Sequence, residues 1–252
     1  MNRLDDAIER LPTTDKKVVV THSGGLDSST AVMIAAKKYG AENVISVGFN
    51  YGQKQAVELE RASNLCAKLG VKREILDLSI LGDIAKPMSA NIGGSDVAMP
   101  TIKDILGNPQ PPTYVPYRNM IIFSLTAAFA EANGASHIIC GLQVHDEYSY
   151  WDTTQKFVDS INTTYAQNRM WPIELVAPFS DLSKTQELEI LKAMDSISFL
   201  EDSLTCYNPD DQGRSCAKCP SCAERIKAFM NIGEPDPIEY QVDIPWMAYH
   251  SK

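Results

Sequence analysis

The stretch KKVVVTHSGGLDSST, residues 16–30, decides the fold of this 252-residue chain. Its first half is short, β-branched and without alternation, a pattern that predicts a strand covered on both faces, as in a parallel sheet. Its second half places two glycines and several small hydroxyl side chains where a helix is predicted to begin, near Asp27. A strand that enters a helix through such a corner indicates the first unit of an α/β fold.

The segments that follow repeat the strand–helix order. Apolar, β-branched runs predict further strands at 43–52, 71–79, 136–142 and 173–178. Helical spacing predicts helices that end on Gly40 and Gly70, and others at 118–133, 153–166 and 183–194. With right-handed crossovers, this order predicts an α/β protein with a doubly wound, mostly parallel sheet. We expect residues 1–200 to form this domain and residues 201–252 to form a small appended segment.

The segment from Leu81 to Pro116 interrupts this regular order. It contains NIGGSD and GNPQPPTYVPY, which are too rich in glycine and proline for regular secondary structure. A loop of this length is either disordered or a functional lid. We favour the lid, because its far end runs directly into the helix predicted from Arg118.

The composition excludes several classes of protein. A net charge of −9 repels a phosphate backbone, so we expect no direct nucleic-acid binding. No apolar run approaches the roughly 18 residues that a membrane span requires, so we expect no membrane association. The first 17 residues are polar and mixed in charge, unlike a secretory signal, and we therefore expect the protein in the cytoplasm.

The glycine corner has the chemistry of a phosphate site. Its glycines let the backbone approach a ligand closely, and the helix start directs free N–H groups and its positive dipole end at that ligand. Asp27 is placed to cap the helix or to hold a magnesium ion. No Gly-Lys-Ser/Thr sequence follows the glycines, which argues against a kinase or motor-type nucleotide site. The corner taken alone is equally compatible with a tight turn between strand and helix.

Four cysteines form a second cluster near the end of the chain. They follow C-x9-C-x2-C-x2-C, at Cys206, Cys216, Cys219 and Cys222. Two-residue gaps let thiolates converge on one ion, and four sulfurs give the closed tetrahedral site that structural zinc prefers. We favour structural zinc; an iron–sulfur cluster or a set of reduced core thiols remain as alternatives.

The string SGGLDS resembles the pyrophosphate loop, SGG-x-DS, of the adenine nucleotide α-hydrolase-like superfamily. Members of that superfamily bind the pyrophosphate of ATP at this loop, and many adenylate a carboxylate or carbonyl oxygen. The resemblance implies an ATP site, with magnesium as the companion of ATP and Asp27 in a catalytic role. The residues that it assigns to ATP binding are His22, Ser23, Gly24, Gly25, Leu26, Asp27, Ser28 and Ser29.

Longer strings resemble the 7-cyano-7-deazaguanine synthase family of queuosine-precursor biosynthesis. They are FNYGQKQAVELERA (49–62), YVPYRNMIIFSLTAAFAEANGASHIICG (114–141), LTCYN (204–208) and CAKCPSCAERIKAF (216–229). The resemblance extends from Val18 to Phe229. It implies ATP-dependent conversion of 7-carboxy-7-deazaguanine and ammonia to the nitrile, small molecules as partners, and a homodimer, which the apolar tail PWMAY also favours.

The resemblance also points to residues outside the glycine corner. Arg118 and Asn119 begin a helix at the carboxyl end of the sheet and suit a carboxylate or a purine edge. Asp146 and Asp152 follow the fourth strand and are able to accept hydrogen bonds from a guanine-like edge. Lys184 matches the lysine of the family's K-x-E segment and is expected to neutralise phosphate or carboxylate charge. The alternative for Arg118 and Asn119 is a solvated helix start. For Asp146 and Asp152 it is a surface loop, and for Lys184 it is a helix surface.

The sequence departs from the family pattern at three places. The loop reads SGGLDS instead of SGGQDS, Thr153 and Thr154 replace a Cys-Arg pair, and Gln186 replaces a glutamate. The Thr-Thr pair leaves open an enzyme that stops at the amide or that transfers the deazapurine to a macromolecule. A non-catalytic interaction protein, organised by zinc on a nucleotide-binding fold, is the further alternative.

Overall fold

A single parallel sheet forms the centre of the computed structural model, which describes residues 3–100, 108, 110–143 and 150–246. In these residues five strands pair in the order β3-β2-β1-β4-β5, and every pair is parallel. The strands are β1 Lys17–Thr21, β2 Val44–Asn50, β3 Lys72–Asp77, β4 Ala135–Cys140 and β5 Glu174–Val176. The predicted strands and the parallel sheet are therefore confirmed.

Helices connect the strands, as the sequence predicts. They are α1 Arg3–Glu9, α2 Leu26–Tyr39, α3 Val57–Leu69, α4 Ser79–Ala85, α5 Arg118–Ala132, α6 Gln155–Tyr165, α7 Lys184–Ala193 and α8 Pro220–Ile232. Gly40 and Gly70 end α2 and α3, both with positive φ, as expected of glycine at a helix C-terminus. Among the described residues, no helix is both long and apolar enough to cross a bilayer.

The core occupies both faces of the sheet. Val19 of β1 packs on one face with residues of α4, α5 and α6, among them Leu81, Phe123 and Phe157. Its neighbours Val18 and Val20 point to the other face, against α1, α2 and α7. Side chains alternate along a strand, so a strand that is apolar without alternation buries both of its faces. This is the doubly wound arrangement that the sequence predicts.

The segment predicted as a long irregular loop is more ordered at its start than its composition suggests. Its first residues belong to α4, which buries Leu81 and Ala85 in the core. Further along, Ile92 pairs with Gln53 in an antiparallel bridge, and the Ala90 N–H donates to the carbonyl of Pro112 at 2.7 Å. The first contact fixes the segment to the loop before α3, and the second joins the early part of the segment to its end. Residues 101–107 and 109 of the predicted lid lie outside the described part of the chain.

The C-terminal segment packs on the face that carries α2 and α7. Ala228 and Phe229 of α8 share a buried cluster with Met33 and Leu188. Arg225 makes a buried ion pair with Asp236 at 2.6 Å, which fixes the chain after α8 to the helix. A division of the chain at residue 200 stays a prediction.

Candidate active site

The candidate site lies where the strand order reverses between β1 and β4. Thr21 at the end of β1 is opposite Cys140 at the end of β4, and a cavity of about 290 Å³ opens beside them. Such a switch point at the carboxyl ends of parallel strands is the usual ligand site of doubly wound sheets. Arg118 at the start of α5 and Tyr207 next to the cysteine cluster also line the cavity.

The glycine corner joins β1 to α2 and leaves the helix start open. Gly24 has φ of +104°, and a Cβ atom there would overlap the carbonyl oxygen of Glu58. Gly25 is the N-cap of α2 and supplies no side-chain oxygen to the first-turn N–H groups. The hydroxyls of Ser23 and Ser28 lie 3.1 Å apart beside it. Backbone donors, hydroxyls and the helix dipole therefore converge at one place, which suits a phosphate group.

Gly141 allows β4 to approach this corner. A Cβ atom at Gly141 would lie 2.7 Å from the backbone of Asp27 and Ser28, although its own φ is not in the left-handed region. We predict that Gly141→Ala displaces the start of α2, weakens ATP binding at least about 10-fold, and costs about 1–3 kcal/mol of stability. Isothermal calorimetry with ATP and urea unfolding measure the two effects.

The matched control for this variant is Gly134→Ala. A Cβ atom at Gly134 would meet nothing within 4 Å, so this change carries only the strain of a positive φ, about 1 kcal/mol. It should leave ATP affinity unchanged. Equal ATP affinities for the two alanine variants would contradict a tight contact between β4 and the corner.

Asp27 lies in the first turn of α2 but does not cap it, because Gly25 is the N-cap. Its carboxylate instead accepts two hydrogen bonds of 3.0 Å from Lys184 of α7. Burial acts to lower the pKa of Lys184, but Asp27, Glu224 and Glu187 outweigh it and raise that pKa, so the ammonium stays charged. The structure thus brings together the two residues to which the sequence assigns catalysis.

Glu187 adds a buried carboxyl group that the sequence analysis does not single out. It lies on α7 with its side chain fully buried, and Gln143 donates to it at 2.8 Å while also accepting from Lys184 at 3.0 Å. Burial, together with Asp27, raises the pKa of Glu187 well above its usual range. The shift favours the neutral acid, because a second buried negative charge beside Asp27 is costly. Only its neighbour Gln186, which forms a capping box with Ser183, stands out in sequence.

His22 supports the corner from behind. Its ring nitrogens lie 3.0 Å from the Ser46 hydroxyl and 3.1 Å from the Ser29 hydroxyl, and its main-chain N–H donates to Val47. Arg73 donates toward Nδ1 at 3.2 Å; because arginine has only donors, Nδ1 is the acceptor and Nε2 carries the proton. Burial, reinforced by Arg73, lowers the pKa of His22 well below 6.5. A neutral, fully bonded imidazole of this kind positions the loop, and His22 also lines the cavity.

The residues assigned to the acid substrate have different environments. Arg118 and Asn119 line the cavity. Asp152 is 3% exposed and accepts from the Asn119 backbone N–H at 3.2 Å, while the Asn119 side chain donates to the Asp152 carbonyl at 3.0 Å. The Asp152 carboxylate therefore anchors the start of α5, and its assignment to the substrate stays a prediction. Asp146 lies outside the described residues.

Two polar residues of the cavity wall are absent from the sequence assignments. Glu58, near the start of α3, is half-buried, and desolvation raises its pKa to about 8. Asn91 is 8% exposed, and its Oδ1 atom is buried without a hydrogen-bond partner among the described residues. The family string FNYGQ-x-x-x-x-E contains Glu58 and was a usable signal. Asn91 sits in a glycine-rich segment with no comparable pattern.

The four clustered cysteines converge in space. The sulfurs of Cys206, Cys216, Cys219 and Cys222 all lie within 4.8 Å of one another. Backbone N–H groups point at three of them, for example from Cys216 to the Cys206 sulfur at 3.2 Å and from Cys222 to the Cys219 sulfur at 3.4 Å. Such donors stabilise thiolates, and four convergent sulfurs fit a tetrahedral zinc ion. Cys206 and Tyr207 also line the cavity, so this segment forms part of the site wall.

Comparison with known proteins shows the family of this chain. Residues 17–233 match the family model of the queuosine biosynthesis protein QueC. A 7-cyano-7-deazaguanine synthase from Marinomonas sp. (strain MWYL1) is 34% identical over 227 residues, which is 90% of this chain and 99% of the relative. One from Pseudoalteromonas atlantica (strain T6c) is 36% identical over 232 residues, again 90% of this chain and 99% of the relative.

Solved structures show a more distant similarity. The U34-tRNA thiolase NcsA from Methanococcus maripaludis is 13% identical, with a TM-score of 0.48 over 77% of this chain and 63% of that protein. An NH3-dependent NAD synthetase from Campylobacter jejuni is 19% identical, with a TM-score of 0.44 over 81% of this chain and 76% of the other. The fold assignment rests on the sheet order itself, and the family assignment on the model match and the sequence relatives. The chain belongs to the QueC family of 7-cyano-7-deazaguanine synthases.

Proposed function

We propose that this protein is an ATP-dependent ligase that converts 7-carboxy-7-deazaguanine and ammonia to 7-cyano-7-deazaguanine. One observation carries the proposal: a single cavity joins the open start of α2 to Arg118 and to the wall that Tyr207 completes. A phosphate chain and a carboxylate are both anions. This cavity offers the dipole at the start of α2 for the phosphates and the Arg118 guanidinium for the carboxylate. The relatives named 7-cyano-7-deazaguanine synthase support the choice of substrate.

In the proposed reaction the carboxylate attacks the α-phosphorus of ATP and releases pyrophosphate. Ammonia then displaces AMP to give the amide, and a second ATP-dependent activation of the amide oxygen allows its dehydration to the nitrile. The glycine corner, residues 23–29, holds the departing pyrophosphate, and Lys184 offsets the charge that develops there. Arg118 orients the acid. The scheme requires no covalent nucleophile, so the chain contributes orientation and charge stabilisation.

Magnesium accompanies ATP in this proposal. Asp27 offers carboxylate oxygens of the kind that Mg²⁺ prefers, and it lies in the first turn of the helix that faces the phosphates. When bound with ATP, the ion would neutralise phosphate charge and polarise the P–O bonds. The ion pair of Asp27 with Lys184 fixes the position of the carboxylate beside the start of α2.

Zinc is the metal that best fits the four cysteines, and we propose a structural role for it. We predict that Cys219→Ser loses bound zinc and destabilises the protein by several kcal/mol, because metal binding organises the segment that holds the site wall. Elemental analysis and thermal unfolding of the same preparation measure both effects. Cys66→Ser is the control, since this buried cysteine lies away from the cluster. A full zinc content in Cys219→Ser, or iron in the wild type, would contradict the assignment.

We also propose a cytoplasmic homodimer that acts on small molecules and does not bind nucleic acid. The exposed face of α4 supports an interface, because Ile80 and Ile84, one turn apart, are 67% and 64% exposed and Met88 follows at 55%. Three large apolar side chains of this exposure on one short segment are unusual for a free surface. The net charge of −9 supports the absence of nucleic-acid binding. Light scattering of Ile80→Asp/Ile84→Asp, which should be monomeric if the wild type is dimeric, tests the interface.

A second candidate product, the amide, is favoured by the segment after residue 150. Thr153 lines the cavity, and the Thr154 side chain caps α6 by accepting from the Phe157 N–H, where the family pattern has Cys-Arg. The cation of that pattern is therefore replaced by a capping hydroxyl. A site with one cation fewer stabilises the second activation less, which would let the amide accumulate.

One assay separates these functions. The purified protein is incubated with ATP, magnesium, ammonium and 7-carboxy-7-deazaguanine, and the products are followed by mass spectrometry. Nitrile with AMP and pyrophosphate supports the ligase proposal, and amide without nitrile supports the second candidate. Absence of both, with no ATP binding by calorimetry, would leave a non-catalytic role and refute the proposed enzyme.

A further inference from the structure

The cavity wall contains a hydrogen-bond acceptor that is held in place but has no partner. The Asn91 side chain donates through Nδ2 to the Thr113 carbonyl at 2.8 Å, which fixes its orientation. Its Oδ1 atom is buried and without a partner among the described residues, although Asn91 lines the cavity. A buried acceptor without a partner has lost the hydrogen bonds that it would make with water, which is unfavourable. A ligand that brings an N–H or O–H donor to this atom would recover that cost.

A second acceptor lies on the chain segment that pairs with Asn91. The Lys54 N–H donates to the Asn91 carbonyl at 2.9 Å, and Gln53 bridges to Ile92. This paired segment leads into α3, which presents Glu58 to the same cavity. A carboxylate accepts up to four hydrogen bonds and donates none. Glu58 and Asn91 therefore both offer hydrogen-bond acceptors to this cavity.

We propose that Glu58 and Asn91 read the donor edge of the deazaguanine, its ring N1–H and its 2-amino group. This inference rests on the proposed function for the identity of the substrate. The edge presents three N–H hydrogens, which match the carboxylate oxygens of Glu58 and the amide oxygen of Asn91. Adenine presents a ring acceptor at the corresponding position, so the same wall disfavours binding of the ATP base there.

The other carboxylates near the site are less suited to this role. Asp152 is buried and accepts from the Asn119 backbone, and Asp27 is paired with Lys184. Arg118, a donor on the same cavity, complements the acceptor oxygen of the base or its carboxylate. Guanine-edge recognition is therefore assigned to residues on the α3 side of the cavity.

Equilibrium binding tests the inference without relying on turnover. Isothermal calorimetry is performed with 7-carboxy-7-deazaguanine and with the analogue that lacks the 2-amino group. The wild type should prefer the amino compound by about 10- to 100-fold, the value of one hydrogen bond to a charged group. Glu58→Gln and Asn91→Leu should each lose most of that preference while ATP affinity stays within about 2-fold. Glu60→Gln, an exposed neighbour on α3, should bind like the wild type.

The outcomes separate this inference from the proposed function. Nitrile formation by a wild type that binds both compounds equally would overturn the inference and leave the function standing. Selective binding of the amino compound without formation of nitrile or amide would support the inference and refute the proposed function. A Glu58→Gln variant that retains the preference but loses ATP affinity, or that loses only turnover with ammonia, would assign Glu58 another role and also overturn the inference.

Proton release provides an independent readout. Burial raises the pKa of Glu58 to about 8, against the opposing effects of a hydrogen bond from the Gln53 side chain and of the charges of Arg118 and Arg73. The nearby Tyr51 is the other titratable group that interacts with Glu58. At pH 7 the free protein therefore holds a proton there, and hydrogen-bond donors of the substrate favour the carboxylate and lower the pKa. Calorimetry at pH 7 in buffers of different ionisation enthalpy should show proton release with the wild type and none with Glu58→Gln. Equal proton release by both proteins would contradict the contact.

Discussion

Lys184→Met should lower kcat/KM by about 100- to 1,000-fold, as measured by pyrophosphate release with ATP, ammonia and the carboxy-deazaguanine. The reason is its position: the ammonium is 11% exposed, lies 3.0 Å from both oxygens of Asp27, and stands beside the start of α2. A cation fixed at this place stabilises charge on the leaving pyrophosphate without reorganisation during the reaction. Methionine keeps most of the length of the side chain and removes the ammonium, with its charge and its hydrogen bonds to Asp27 and Gln143.

The control is Lys192→Met on the same helix. Lys192 is 49% exposed and pairs with Glu234 on the surface, an interaction of about 0.2–1 kcal/mol, so activity should stay within about 2-fold of the wild type. Lys184→Arg, which keeps the charge in a different shape, tests whether charge alone suffices. Circular dichroism confirms that each variant is folded. If Lys184→Met retains more than a tenth of the activity, the lysine has no role in charge stabilisation.

The fold was predictable because local pattern and tertiary environment agree. The unalternating run in β1 corresponds to burial of Val18, Val19 and Val20 on both faces of the sheet. Gly40 and Gly70 end helices where predicted, because their positive φ is a backbone property that sequence reports directly. By contrast, α4 was not predicted. Its Leu81 and Ala85 are buried only because the sheet lies beneath them, and a seven-residue helix has little periodicity of its own.

The backbone corner and the cysteine cluster of the candidate site were predictable from the sequence, but several of its polar side chains were not. The glycine corner and the four cysteines are local in sequence, and the structure brings each group together. Glu187 and Asn91 owe their importance to burial, which is created by contacts between distant segments. Asp152 shows the same limit, because a carboxylate after a strand suits a ligand as well as a helix start, and its hydrogen bond with Asn119 is visible only in the structure.

Asp236→Asn should destabilise the protein by about 3–5 kcal/mol, which is about 6–20 °C in the thermal midpoint for a chain of this size. Its carboxylate accepts from Arg225 at 2.6 Å and 2.8 Å and from the Tyr240 hydroxyl at 2.7 Å. Arg225 is 1% exposed, so removal of the negative charge leaves a buried guanidinium without its counter-ion. The loss should be visible in differential scanning calorimetry and urea unfolding.

Two further variants test whether the loss of stability comes from an unpaired buried charge or from a general weakening of the segment after α8. Glu234→Gln removes a surface ion pair two residues earlier and should cost less than about 1 kcal/mol. Arg225→Met/Asp236→Leu removes both charges and should recover most of the stability that Asp236→Asn loses, because no charge then remains buried alone. A double variant as unstable as Asp236→Asn would show instead that the hydrogen bonds of Arg225 to Ser203 and Leu200 hold the segment after α8 in place. This segment continues from the helix that carries Cys222. If the unpaired buried charge causes the loss of stability, the double variant should therefore also keep its zinc.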